Sequence, residues 1–167
     1  IGGEDVIYIG GWTSSTDWIA GGHDTTPNGD WDGFVAKMNT SGGIVWSTYL
    51  GGTDEDIVRA VSVDPTSGDI AVAGQTKSSG WLAGGWDDSH NGDMDGFVAK
   101  LRSTNGQMLW GSYIGGAEQD YAQCIAVGAT GNVYLGGYTH SPGWALDGWD
   151  TSHGGSQDGF LVRFNSS

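Results

Sequence analysis

Two segments of the chain space oxygen ligands as a divalent cation would use them. Asn28-Gly29-Asp30-Trp31-Asp32-Gly33 sets side-chain oxygens at alternate positions ahead of a glycine, and Asn91-Gly92-Asp93-Met94-Asp95-Gly96 repeats the arrangement. Calcium takes roughly six to eight hard oxygens, and a glycine lets the chain turn around the ion. Asp24 and Asp87 stand four residues ahead of the asparagines and could each add a donor. The candidate metal ligands are therefore Asp24, Asn28, Asp30 and Asp32, then Asp87, Asn91, Asp93 and Asp95. The third such segment has Gly154, Ser156 and Asp158, which removes two donors, and no Glu closes a full EF-hand loop. The competing expectation is that these residues cap turns. Asp32, Asp95 and Asp158 would then brace the start of a strand by accepting backbone N–H groups.

Tryptophans make the second constellation. Trp81, Trp86, Trp144 and Trp149 are candidate ligand-binding residues, with Trp18 and His23 as their first-repeat counterparts. Flat aromatic faces beside carboxylates can hold a pyranose ring by stacking and hydrogen bonding. The alternative is that they pack a loop onto its sheet, each burying on the order of 200 Å². Trp18, Trp81 and Trp144 never vary among the repeats, which favours packing. Trp31 gives way to Met94 and Gln157 and is expected to be exposed. Trp46 and Trp110 lie in a strand and are expected to be structural.

Catalytic chemistry has little to build on. His90 and His153 correspond, but Pro27 takes their place in the first repeat, and His140 corresponds to Ser14 and Lys77. That spacing does not gather a metal-binding histidine cluster. Cys124 matches Ala60 and is expected to be a buried, inert thiol. Paired carboxylates could serve a glycosidase only with a raised pKa. The expectation is a chain with no catalytic residues, and a glycan-active enzyme is the third of three readings.

The elements that position these residues are set by an internal repeat. Asp32-Gly33-Phe34-Val35-Ala36-Lys37 returns as Asp95-Gly96-Phe97-Val98-Ala99-Lys100 and, more loosely, as Asp158-Gly159-Phe160-Leu161-Val162-Arg163, each time after 63 residues. Thr13, Thr76 and Thr139 keep the same step. Trp46-Ser47-Thr48-Tyr49-Leu50-Gly51-Gly52 returns as Trp110-Gly111-Ser112-Tyr113-Ile114-Gly115-Gly116 after 64. The 167 residues therefore hold about 2.65 repeats, over residues 1–52, 53–116 and 117–167. Period-two alternation predicts strands at 57–63, 69–75, 96–101 and 107–114 in the central repeat. Pro65-Thr66-Ser67-Gly68 and Ser103-Thr104-Asn105-Gly106 are turns. Four short antiparallel strands per unit predict an all-β fold of consecutive propeller blades, with a β-solenoid as the alternative.

Composition narrows the functional classes. The chain carries 20 acidic against 6 basic residues, a formal charge of −14, and 32 glycines. Such acidity argues against a nucleic-acid partner, which needs clustered Lys and Arg. No apolar run approaches the ~18 residues of a membrane-spanning helix. High charge with few aliphatic residues is usually a sign of disorder. Nine tryptophans and six tyrosines held in register argue against that here.

The repeat resembles the bacterial SBBP-type β-propeller repeat family. The residues that carry the resemblance are Ile125-Ala126-Val127, Gly131-Asn132-Val133-Tyr134, Asp95-Gly96-Phe97-Val98-Ala99-Lys100-Leu101 and Ser47-Thr48-Tyr49-Leu50-Gly51-Gly52. The likeness covers nearly the whole chain. It implies propeller blades in a surface or secreted protein. The chain departs from the family in the long loop, where Trp18, Trp81 and Trp144 replace a common Phe-Pro, so the likeness does not extend to any role of that loop.

The longest connections, 14–31, 77–94 and 140–157, are expected to carry function, since long loops often do. With Asp54, Glu55, Asp56, Glu118 and Asp120 they should concentrate carboxylates and tryptophans on one face. The strand count should be three, four and three. Open sheets of that kind predict completion by remaining blades of a longer chain or by further copies. The turn over residues 165–167 would lead to a strand not contained here. The functional expectation is a non-enzymatic extracellular or cell-surface structural or interaction module, its loops ordered by calcium. The alternative is a carbohydrate-binding, lectin-like propeller with one shallow site per repeat, its partners glycans or surface proteins.

Overall fold

A computed structural model describes residues 5–166. The expected turn at 165–167 reaches one residue beyond them. Ten strands form three antiparallel sheets, and there is no helix among the described residues. Sheet 1 holds β1 (Val6–Thr13), β2 (Asp32–Asn39) and β3 (Ile44–Leu50). Sheet 2 holds β4 (Asp56–Val63), β5 (Ile70–Thr76), β6 (Asp95–Leu101) and β7 (Met108–Ile114). Sheet 3 holds β8 (Asp120–Val127), β9 (Val133–Thr139) and β10 (Asp158–Phe164). Each sheet is a meander in which neighbours in sequence are neighbours in space. The count of three, four and three agrees with the repeat arithmetic.

Strand starts differ from the alternation pattern by about one residue. β4 begins at Asp56 and β6 at Asp95, both carboxylates, and both are buried. An acidic residue at a strand start looks like loop on paper. Here the oxygens of Asp56 are satisfied by Thr76, Ser78 and Gly52, and those of Asp95 by the amides of the loop before it.

The sheets stack through two separate apolar cores, and the side-chain alternation of a strand decides which residue faces which core. Val35, Trp46 and Leu50 of sheet 1 meet Val58, Ile70, Val72, Phe97, Ala99 and Leu101 of sheet 2. On its other face, sheet 2 presents Ala71, Ala73, Val98 and Ile114 to Ala122, Val133 and Leu135 of sheet 3. Sheet 2 is thus covered on both sides, and all seven residues of β5 are buried. The two contacts are the same contact one repeat apart. Val98 occupies the place of Val35, Ile114 that of Leu50, and Val133 and Leu135 those of Ile70 and Val72.

Polar ties fix the register of neighbouring sheets. Lys37 Nζ and Trp46 Nε1 both donate to the Ser103 carbonyl at 3.1 Å, linking sheet 1 to the β6–β7 turn. The Val127 amide donates to Ser62 Oγ at 3.1 Å, linking sheet 3 to sheet 2.

Phe97 lies fully buried in the first core and also carries the edge of Trp81. Phe97→Ala is expected to lose about 3–5 kcal/mol of stability, read from urea unfolding. Leu161→Ala, at a side chain that is 77% exposed, should change it by less than about 0.5 kcal/mol.

Candidate functional site

Units 2 and 3 each close around a buried threonine hydroxyl, and unit 1 has a partly buried one in the same place. In sheet 2, Thr76 Oγ1 at the end of β5 donates to Asp56 Oδ1 at the start of β4. The same oxygen accepts from the Ser78 amide at 3.0 Å and from Trp81 Nε1 at 3.0 Å. Ser78 Oγ donates to Asp56 Oδ2 at 2.8 Å and accepts from the Asp54 amide at 2.9 Å. The indole of Trp81 stands edge-on to Phe97 of β6 at 5.1 Å between ring centroids. Tyr113 of β7 donates its hydroxyl to the Ser78 carbonyl at 2.9 Å. All four strands of the sheet meet at this one polar node.

The neighbouring units repeat it. Asp120, Thr139, Ser141 and Trp144 make the same bonds in sheet 3, with Ser141 Oγ to Asp120 at 2.8 Å and Trp144 Nε1 to Thr139 at 2.9 Å. Trp144 meets Phe160 edge-on at 5.2 Å. In sheet 1, Ser15 N and Trp18 Nε1 donate to Thr13, Trp18 meets Phe34 at 4.8 Å, and Tyr49 donates to the Ser15 carbonyl at 2.6 Å. Asp56 and Asp120 are therefore not part of an exposed acidic face. Both are fully buried, because hydroxyl and amide donors surround them.

Glycine is required beside the node. The Gly52 and Gly116 amides donate to Asp56 and Asp120 at 2.8 Å. The preceding glycines, Gly51 and Gly115, have φ of 154° and 141°, where side chains strain the backbone. A Cβ on Gly115 would stand 2.1 Å from Asp120 Oδ2.

The first two long loops are tied down to strands while keeping much of their surface exposed. Their first half lies along the outer strand of its own unit. Ser47 N donates to the Ala20 carbonyl at 2.9 Å and Tyr49 N to the Asp24 carbonyl at 3.0 Å. Gly111 N to Ala83 and Tyr113 N to Asp87 repeat this at 2.9 Å each. The loop thereby covers an edge that would otherwise expose unpaired backbone groups. Its second half reaches the next unit, where the Asp56 amide donates to the Trp31 carbonyl at 2.8 Å and the Asp120 amide to that of Met94 at 2.7 Å.

The candidate metal ligands divide into turn formers and exposed carboxylates. Asp32 accepts from the Asn28 and Gly29 amides, and Asp95 from Asn91 at 2.8 Å and Gly92 at 3.1 Å. Asp158 accepts from the Gly154 amide. Asp24 and Asp87 accept from the Thr26 and Ser89 amides and from the Asn28 and Asn91 side-chain amides. Asp30 is exposed, and Asp93 accepts from Gln119 Nε2 at 2.9 Å. Among the described residues, no group of three or more His, Cys, Asp or Glu is placed to hold a metal ion.

The four candidate tryptophans also separate. Trp81 and Trp144 are half-buried anchors of the node. Trp86 is 54% exposed and, with Trp110, Phe164 and Asn165, lines a cleft of about 260 Å³ between units 2 and 3. His23 replaces Trp86 in the cleft between units 1 and 2, which Tyr49, Trp81 and Met108 also line. Trp149 is fully exposed; its unit has no fourth strand among the described residues for the loop to lie along. Trp31 is exposed as expected and stacks on Trp12 at 4.5 Å. Cys124 is exposed, contrary to expectation, because no sheet among the described residues covers that face of sheet 3.

Burial pushes the Asp56 carboxyl up to about 6, against the pull of hydrogen bonds from Thr76, Gly52 and Ser78. Burial likewise raises Asp32 and Asp95. Burial also acts on Asp64, but the Lys100 ammonium and the Thr66 hydroxyl and amide outweigh it and hold that carboxyl well below the usual range. The signs are opposite. The folded state binds the Asp56 proton more tightly than the unfolded chain does. Its contribution is full below the ordinary carboxylate value of ~3.9 and is lost as pH rises through about 6. The Asp64 contribution is present above ~3.9 and is lost as pH falls through its lower folded value.

Thermal stability should therefore be greatest near pH 4, fall between about pH 4 and 6 by up to about 3 kcal/mol for Asp56, and level off above that. Asp56→Asn should reduce that slope in calorimetric scans across pH. Thr76→Val strands three hydrogen-bonding partners, the buried Asp56 and Ser78 and the half-buried Trp81, and should cost on the order of 3 kcal/mol, read from urea unfolding.

No protein-family model matches the chain. It is 29% identical over 153 residues to the regulatory protein FlaEY of Caulobacter vibrioides, a match that covers 84% of this chain and 14% of that protein. The chain thus spans about one-seventh of the relative's length.

Proposed function

We propose that the chain is a run of β-propeller blades acting as a non-enzymatic structural and interaction module outside the cell. The observation that carries this reading is the repeated node: Thr, Ser, Trp and Phe recur in all three antiparallel units, joined by Asp in units 2 and 3 and by Tyr in units 1 and 2. These units also step face to face in one direction. Propellers repeat four-stranded units in this way, and the resemblance to SBBP repeats supports the same reading. Conserving an apolar and polar framework at every step serves a rigid scaffold, while the loops vary around it. The name of the relative, a regulatory protein, fits a module that acts through binding. Acidity and the scarcity of lysine support an extracellular or surface setting.

Two measurements test this reading. Small-angle scattering of the single chain should give a fan-shaped envelope, and a straight slab would overturn the propeller arrangement. Incubation with polysaccharides and peptides should give no turnover. Turnover that is lost in Asp30→Asn or Asp93→Asn would overturn the non-enzymatic reading.

Calcium is the ion that the exposed loop oxygens would take, with Asp24 and Asp30, or Asp87 and Asp93, as donors. Binding would pull Asp24 and Asp87 away from the Asn28 and Asn91 amides. Calcium titration should then change tryptophan fluorescence through Trp31 and Trp86, and Asp93→Ala should weaken the response. A flat titration would remove calcium from this role.

The second reading, carbohydrate binding, is favoured by the cleft beside Trp86. An exposed indole face lies there next to Trp110 and Phe164, whose rings are 5.6 Å apart and tilted by 32°. A sugar ring stacks on such a surface. Glycan-array binding that disappears in Trp86→Ala would support it, and an array without signal would exclude it.

A further inference from the structure

The cleft between units 1 and 2 is the unit boundary whose two outer walls both lie among the described residues. One wall is the end of β3 with His23 and Asp24 of the loop laid along it. The other is Trp81 with Gln107 and Met108 at the start of β7. In the cleft between units 2 and 3, the counterparts of Gln107 and Met108 would fall beyond residue 167. The first cleft holds about 370 Å³, at the small end of the roughly 300–1,000 Å³ of ligand pockets. Its polar groups divide by whether the fold already uses them. Trp81 donates its indole N–H to Thr76, and Tyr49 its hydroxyl to the Ser15 carbonyl, so both offer the cleft only ring carbon. The Asp24 oxygens accept from the Thr26 amide and from Asn28 Nδ2. The Thr48 hydroxyl is held between the Asp24 amide and carbonyl. His23 and Gln107 are exposed, and among the described residues neither side chain has a hydrogen-bond partner.

From this we infer that the cleft between units 1 and 2 is a binding site for a neutral pyranose, with His23 and Gln107 as its hydrogen-bonding residues. The inference rests on the carbohydrate reading and gives it a second place and a ligand class. An imidazole and a carboxamide each supply a donor and an acceptor. A sugar hydroxyl is also both, so neighbouring hydroxyls can bond to the two residues from opposite walls. The half-buried Trp81 and Met108 supply the apolar surface that the C–H face of the ring needs. Charge decides against an acidic sugar, since a formal charge of −14 repels a uronate. One repeat on, Trp86 stands at the place of His23, while Asp87 and Trp144 keep the places of Asp24 and Trp81. The two clefts thus share a framework and differ in how they hold a ring: the first by hydrogen bonds, the second by stacking on an indole.

A titration with single sugars in solution avoids the multivalency of an array. The probes are the methyl pyranosides of glucose, galactose and mannose, with methyl glucuronide as the acidic comparison. In proton–nitrogen correlation spectra, at least one neutral probe should shift the Gln107 side-chain amide and the Gly51 and Gly106 backbone amides along one saturable curve. The glucuronide should leave them in place. His23→Ala and Gln107→Ala each remove one partner and should weaken binding about tenfold. Both positions are exposed, and circular dichroism checks that the variants fold. Trp81 is left intact because it anchors the node. Spectra that no neutral probe changes would overturn the proposal. So would a curve that neither variant weakens, or a glucuronide that binds as tightly as the neutral sugars. Shifts confined to the Trp86 and Trp110 indoles would overturn this site and leave the carbohydrate reading standing, whereas that reading itself falls with an array that gives no signal.

Discussion

A buried threonine hydroxyl at the end of the second strand holds each of units 2 and 3 together. Thr76 donates to Asp56 and accepts from Ser78 and Trp81. Through Asp56 it reaches the first strand, through Trp81 and Phe97 the third, and through Ser78 and Tyr113 the fourth. Buried polar groups of this kind are costly unless every partner is in place. That condition explains much of what surrounds the node. Gly51 and Gly115 leave room for the carboxylate, the serines supply a second hydroxyl, and the tryptophans close off water. A unit with such a centre is defined by its polar geometry as much as by its apolar faces.

Stacking follows from the same plan. Because every unit orients its strands on one node, each presents the same pair of unlike faces. Face-to-face contact then repeats with a fixed direction, as from sheet 1 to sheet 2 and from sheet 2 to sheet 3. The long loops serve this stack twice. They pair with the outer strand of their own unit and then hand a carbonyl to the first strand of the next. Several of their aspartates are occupied in shaping that path, while Asp30, Trp86 and Trp149 stay exposed to solvent.

Much of the fold was legible because side-chain alternation and the spacing of 63 residues both survive burial. The strands of sheet 2 lie within a residue of the alternation pattern. The bracing role of Asp32, Asp95 and Asp158 was also legible, since an Asp four residues after Asn or Gly is ordinary turn chemistry. The node was only half legible. Thr13, Thr76 and Thr139 kept a strict step, as did the tryptophans, but Ser15, Ser78 and Ser141 hold the same step and were not recognised. Serine is too common in loops to stand out. Asp56 and Asp120 looked like surface charge because nothing in composition says that a carboxylate will be met by three donors. Cys124 failed for another reason. Burial of a strand face depends on whether another sheet lies against it, and alternation does not carry that information.

Amide hydrogen exchange on Thr76→Val, compared with wild type, tests the shared node most directly. If one hydroxyl anchors all four strands, protection should fall together across β4, β5, β6 and β7, while sheet 1 away from the contact loses less. Loss of protection confined to residues 76–81, with the other strands unchanged, would contradict a common anchor and leave Thr76 as a local turn cap.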